Sequence, residues 1–422
     1  FEIVLGKMLQ REQENPDDTE EPYLRSANVQ WEGVDISDIK TMWFSSWEKK
    51  ELLLKDGDLV VNEGGDVGRC AIWTGELDTC YFQNAINRVR PRQRASVRFL
   101  YYWLYNIKHA GFIDSIVGKT TIAHLTAEKL EAIPWPDAPP ANQQRIAAYL
   151  DASCAAIDAA VAAKRRQLET LDGIRKTEIT RAITRGLNPT IPTKSSGQNW
   201  LGDIPAHWSA PCLKRLLSEP LTYGLNEAAE LDDRDLPRYL RITDFDDDGT
   251  LRDETFRSLP REIACEALLK PNDVLFARSG ATVGKTFMFR DYKGEACFAG
   301  YLIRARTLPW KLNPVFLYLF TKSSAYETWK NLIFTQATIQ NISAAKYNYL
   351  TIPLPPLHEQ TAIIAYVEEK SAAIRTLSSC IESQIATLTA YRKSLIHECI
   401  TGQRRVTEAD MQRAQKGGNS HA

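Results

Sequence analysis

"LLKDGDLVVNEGGDVGR" at residues 53–69 and "LLKPNDVLFARSGATVGK" at residues 268–285 are one phrase written twice, the second copy one residue longer inside its glycine turn. Alone, the second copy comes close to a phosphate-binding loop. Gly284, Lys285 and Thr286 stand in order, but Ser279 occupies the place where that pattern needs glycine, and Gly280 falls one position late. Such a loop must also feed a helix whose first amides hold the phosphates. Here Phe287-Met288-Phe289 follows, a strand-like run, so the glycines are read as the turn of a β-hairpin. The first copy departs further from the phosphate-loop pattern, which leaves duplication as the fact to explain.

Working outward, the repeat continues in both directions. "PYLRSANV" (22–29) returns as "RYLRITDF" (238–245), and "FQNAINRVR" (82–90) as "FAGYLIRAR" (298–306). Further on, Phe99-Leu100-Tyr101 matches Phe316-Leu317-Tyr318, Thr121-Ile122 matches Thr338-Ile339, and "NQQRIAAYL" (142–150) matches "EQTAIIAYV" (359–367). Each copy is far longer than a solenoid unit, so a whole domain with its appendage is duplicated.

Each copy divides in two. Residues 1–140 and 202–356 mix short alternating strands, glycine turns and a few helices, which predicts α+β modules. Residues 141–186 and 357–402 each predict one long helix, entered from proline-rich stops, "PWPDAPP" and "PLPPL". Apolar residues recur there at threes and fours: Ile146, Leu150, Ile157, Val161, Leu168, Leu171, Ile179 and Ile183 in the first, Ile363, Val367, Ile374, Ile381, Ile385, Leu388, Leu395 and Ile400 in the second. Each stripe outruns the core of one domain and needs a partner, so the helices are expected to pair as an antiparallel coiled coil. Residues 187–201 read as a polar linker, and 403–422 as a disordered tail.

Composition removes several function classes. Lys plus Arg number 52 against 53 Asp plus Glu, so any nucleic-acid site is local rather than a global basic field. The eight cysteines show no C-x-x-C spacing, which fits a reducing cytoplasm. The six histidines lack metal-ligand spacing, and no apolar run approaches the length of a membrane span. The acidic run 244–248 ends in Gly249 as a surface turn does. "NPVF" at 313–316 is similar to the Asn-Pro-x-aromatic motif of adenine methyltransferases, but Asn then Pro is also what a helix start requires. A chain that opens on Phe1 is expected to lack some N-terminal residues.

Taken in order, "PYLRSANV", "DGDLVV" with "GGDVG", "PPANQQRIAAYLD", "GDIPAHW" at 202–208 and "LPPLHEQTAIIAYV" resemble the specificity subunit of type I restriction-modification systems over essentially the full chain. That resemblance implies two target-recognition domains, each reading half of a split double-stranded DNA site, with the helices as spacer and docking elements. It implies a subunit without catalysis of its own. Two methyltransferase subunits and the restriction/translocase subunits would carry S-adenosylmethionine, ATP and Mg. Two other classes remain: an enzyme with its own nucleotide or methyl-donor site, and a coiled-coil adaptor that binds only proteins.

A DNA reader needs cations for phosphates and planar multidentate side chains for base edges. The candidates are Arg25 with Arg241, Arg69 with Lys285, Arg278 and Ser279 in the glycine turn, and the polar segments holding Lys119, Thr120 and Thr121 in one copy and Gln336 and Thr338 in the other. Arg88 and Arg90, like Arg304 and Arg306, alternate with apolar residues in a strand and are expected to brace structure. Ile146, Leu150, Ile157, Leu168, Leu171, Ile363, Val367, Ile374, Ile385 and Leu388 are the candidate spacer and docking positions.

Overall fold

The computed structural model describes residues 1–92, 95–118, 123–246, 249–280, 282–335 and 341–419. The chain forms two compact units: Phe1–Arg165 with Glu382–Ala422, and Arg166–Ile381. Each unit therefore holds one module together with parts of both long helices.

In the first unit β1 (Glu2–Leu5), β2 (Leu59–Asn62), β3 (Cys70–Ile72) and β4 (Ile86–Arg90) make an antiparallel sheet in the order β1-β4-β2-β3. In the second, β5 (Thr222–Tyr223), β6 (Val274–Ala277), β7 (Thr286–Met288) and β8 (Leu302–Ala305) repeat it as β5-β8-β6-β7. The period of two along a strand sends alternate residues to opposite faces. Leu59 and Val61 join a core with Phe99, Leu104 and Leu150, while Val60 joins another with Tyr23, Phe44 and Phe82. Val274 and Phe276 against Leu275 and Ala277 divide in the same way. Both faces are covered, which explains why "DLVVN" and "DVLFA" are continuous apolar runs rather than alternating ones. A parallel pair completes each module: Thr19–Leu24 with Tyr81–Phe82, and Arg238–Leu240 with Ala296–Phe298.

The turn between β6 and β7 feeds a strand, as the hairpin reading required. After β1 and β5 the chain crosses so close to the rest of its module that only glycine fits. A Cβ on Gly6 would lie 2.3 Å from the Gln83 carbonyl oxygen, and one on Gly224 would lie 2.1 Å from that of Phe298.

The long helices are Pro140–Arg185 and Leu357–Ile400. Within the first unit Tyr149 meets Arg404, Asp158 meets Arg392 and Lys164 meets Gln384; partners fall in number as positions rise, so the helices run antiparallel. In the second unit Glu178 and Arg181 both bond Tyr366. Leu150, Ile157, Ile363 and Val367 are buried, whereas Ile146, Leu168, Leu171, Ile374, Ile385 and Leu388 are only half-buried, because two helices alone cannot enclose a seam. Each helix is tied to its module by one buried glutamine: Gln143 accepts from Ser96 N at 3.0 Å and Gln360 from Asn313 N at 2.8 Å. Asn313 Oδ1 in turn accepts from Val315 N at 2.9 Å with Pro314 first in the helix, the capping role.

Four expectations need correction. The first long helix does hold a stretch apolar enough, by length and composition, to cross a membrane. Its alanine content produces that property, yet Leu150, Cys154 and Ile157 pack against Leu395, Ile396 and Cys399, and Asp151 accepts from Arg98 and Tyr102 at 2.7 Å each. The segment read as a linker holds Thr193–Ser195, paired with Asp203–Pro205, and the buried Leu201. The tail read as disordered buries Val406 and forms the helix Glu408–Asn419, with Met411 and Ala414 against the core of the first unit. Asp244, placed in a surface turn, is fully buried because it holds Arg241.

Candidate nucleic-acid interface

Strand order brings the described glycine-turn candidates, Arg69 in one module and Arg278, Ser279 and Lys285 in the other, to one edge of each four-stranded sheet. There β1 ends, β2 hands over to the glycine turn, and β4 begins; β5, β6 and β8 do the same in the second unit. Loops carried on such a rigid edge are where recognition residues gather.

The main chain at this edge is equivalent in the two modules. Glu63 N donates to Ala85 O and Leu125 N to Glu63 O, both at 2.9 Å. Arg278 N donates to Tyr301 O and Ile342 N to Arg278 O, both again at 2.9 Å. Register makes Leu5 equivalent to Tyr223, Glu63 to Arg278, Ala85 to Tyr301 and His124 to Asn341.

The side chains on that shared frame differ. In the first unit Glu63 is buried, with His124 Nδ1 at 3.7 Å and its own Oε2 without a hydrogen-bond partner among the described residues. Burial pushes the Glu63 carboxyl above the usual carboxylate range, partly opposed by His124. In the second unit the Arg278 guanidinium lies 4.7 Å from the centre of the Tyr223 ring, a cation–π contact. Tyr301 is 65% exposed beside it along the chain of β8, and Ser279 pairs through its main chain with Asn341.

Most of the predicted arginines are already engaged. Arg25 bonds both the Asp38 side chain and its carbonyl at 2.8 Å; Lys40 and then Arg25 hold the Asp38 carboxyl below its usual range. Arg241 is bound to Asp244 at 2.8 Å and to Thr255 O at 2.6 Å. Arg69 bonds Asp66 and, at 2.6 Å, Gln30, and Lys108 also lies 3.7 Å from Asp66. Arg90 with Asp58 and Arg306 with Asp273 are equivalent buried braces, at 2.6 Å each. Arg278 has no acidic partner among the described residues, and Lys285 stands exposed on the same turn. Lys119, Thr120, Thr121, Gln336 and Thr338 lie outside the described residues.

Sequence reasoning missed Glu63, Tyr223 and Tyr301. The one available signal was the pair "VLGK" and "TYGL", whose shared glycine aligns Leu5 with Tyr223 but is too short to notice unaided. Among the described residues no group of His, Cys, Asp and Glu is placed to hold a metal. The arrangement offers planar donors, aromatic faces and one carboxylate at a loop edge, which is equipment for recognition.

A family model for the type I restriction modification DNA specificity domain matches residues 1–170 and 262–385. The chain is 23% identical over 359 residues to the type I restriction enzyme EcoBI specificity subunit of Escherichia coli, covering 82% of this chain and 73% of that one. It is 21% identical over 390 residues to the StySPI specificity subunit of Salmonella potsdam, covering 90% and 82%. A solved chain described under complex assembly and conformational transition of the type I R-M system superposes with a TM-score of 0.71 at 15% identity, over 94% of this chain and 97% of that one.

Proposed function

This chain belongs to the type I restriction-modification DNA specificity family, and on that footing we propose that it is the subunit by which such an assembly reads a split double-stranded DNA target, one half per module. The observation that carries this reading is the shared main-chain edge bearing unlike side chains: one docking frame, two different half-sites. Phosphate contacts would set the register and edge residues would choose the bases.

The chain itself performs no chemistry in this reading. Two methyltransferase subunits dock on it and supply S-adenosylmethionine for adenine methylation, while restriction/translocase subunits supply ATP-driven, Mg-dependent cleavage. The paired helices act as spacer and docking surface, and the assembly works in the cytoplasm, where the free cysteines are stable as thiols.

The test is to express the chain with its methyltransferase partner and map methylated adenines genome-wide, before and after exchanging residues 202–356 for the matching module of another family member. One half of the methylated sequence should change and the other should stay. A change in both halves, or methyl transfer by the purified chain alone, would defeat the reading.

A further inference from the structure

Arg278 stands out among the candidate arginines. Its side chain has no carboxylate partner, and its two terminal nitrogens make no hydrogen bond among the described residues. Its Nε is buried and also lacks a partner among the described residues. The Tyr223 ring lies 4.7 Å from the guanidinium and limits where it can go, and the Tyr223 hydroxyl is itself held by Ala344 N at 2.9 Å. The main chain of Arg278 is bonded on both sides, to Tyr301 and to Ile342. A flat donor fork on a rigid edge is thus left without an acceptor among the described residues.

The equivalent position in the first module has the opposite polarity and the same deficit: Glu63 there has a buried Oε2 without a partner among the described residues. The terminal nitrogens of Arg278, unlike its buried Nε, are not enclosed, so a ligand with paired acceptors can complete them. In the major groove, guanine offers two acceptors, N7 and O6, spaced for a bidentate arginine. A phosphate also accepts from arginine, but it does not require a guanidinium fixed in one plane.

Resting on the DNA-reading role above, we propose that Arg278 selects a guanine in the half-site read by the second module, with Tyr223 as the platform that orients it. The first module, with Glu63 in that place, makes no such selection at its equivalent position.

The test uses the chain assembled with its methyltransferase partners and duplexes carrying the mapped target, with each base pair of the second half-site varied in turn. For the wild type, one guanine should be required. Arg278→Ala and Arg278→Lys should each bind the target about 10- to 100-fold more weakly and accept other bases at that position. First-half preference should be unchanged, which also shows that the variants remain folded. Tyr223→Leu should relax the same position less. Uniform weakening over all duplexes, with a shallower salt dependence and the guanine preference kept, would make Arg278 a phosphate contact and overturn the assignment. Unaltered binding by both Arg278 variants would overturn it too. A wild-type assembly without any sequence preference would instead defeat the DNA-reading role, and this inference with it.

Discussion

At the end of β2 stands Glu63, and at the end of β6 stands Arg278; the main-chain bonds around them are the same and the charges are opposite. A few residues away the two modules agree even in side chains. Asp58 accepts from Lys55 N and holds Arg90, and Asp273 accepts from Lys270 N and holds Arg306. The contrast separates two kinds of position. Residues that close the frame are repeated because the frame fails without them, whereas the residues that end the edge strands are free to diverge, and divergence there is what two different half-sites require.

If that separation is right, disabling the frame should cost both modules. Asp58→Ala strands a partly buried arginine and an unbonded amide, with an expected loss of about 3–5 kcal/mol measured by denaturant unfolding, and Asp273→Ala should cost somewhat less because Arg306 keeps Glu219. A loss in one module only would break the equivalence. Next in size are Gly6→Ala and Gly224→Ala. Each sets a methyl group against a carbonyl oxygen that belongs to backbone and cannot turn away, so about 1–3 kcal/mol should be lost in both.

The smallest effect should be confined to one module. Because burial raises the Glu63 carboxyl, the folded state holds that proton more tightly than the unfolded chain does. The associated stability is complete below the ordinary carboxylate range and falls as pH rises through the raised value. Glu63→Gln should therefore leave stability near unchanged at low pH and increase it at pH 8, read as the pH dependence of thermal unfolding. A variant equally stabilised at every pH would mean that the charge at Glu63 is not what the fold resists. Substitutions at Arg278 are expected to move base preference instead.

Much of this architecture was legible before any coordinates. The duplicated phrase identified the hairpin and the long stripes identified helices that need each other, whereas the central strands, expected to alternate, are continuous apolar runs because both of their faces are covered. The buried glutamines were in plain view within "NQQR" and "EQTA", yet nothing in their spacing said that Gln143 and Gln360 cap the helices beginning near Ser96 and Asn313. The tail was misread for a related reason: a polar segment after Arg405 gains its helix from packing Val406 and Met411 on a core built elsewhere.

By itself the sequence determined the repeat, the hairpins and long helices of each copy and the family to which the chain belongs, because periodicity and local turn chemistry are properties of neighbouring residues. Only the tertiary structure decided which cations are engaged. Arg25 reaches Asp38, Arg69 reaches Gln30 and Arg306 reaches Asp273, while Arg278 meets the face of Tyr223 and no carboxylate among the described residues. Those outcomes depend on which distant segments arrive at the sheet edge, and a charged side chain has the same local signature whether its partner comes or not.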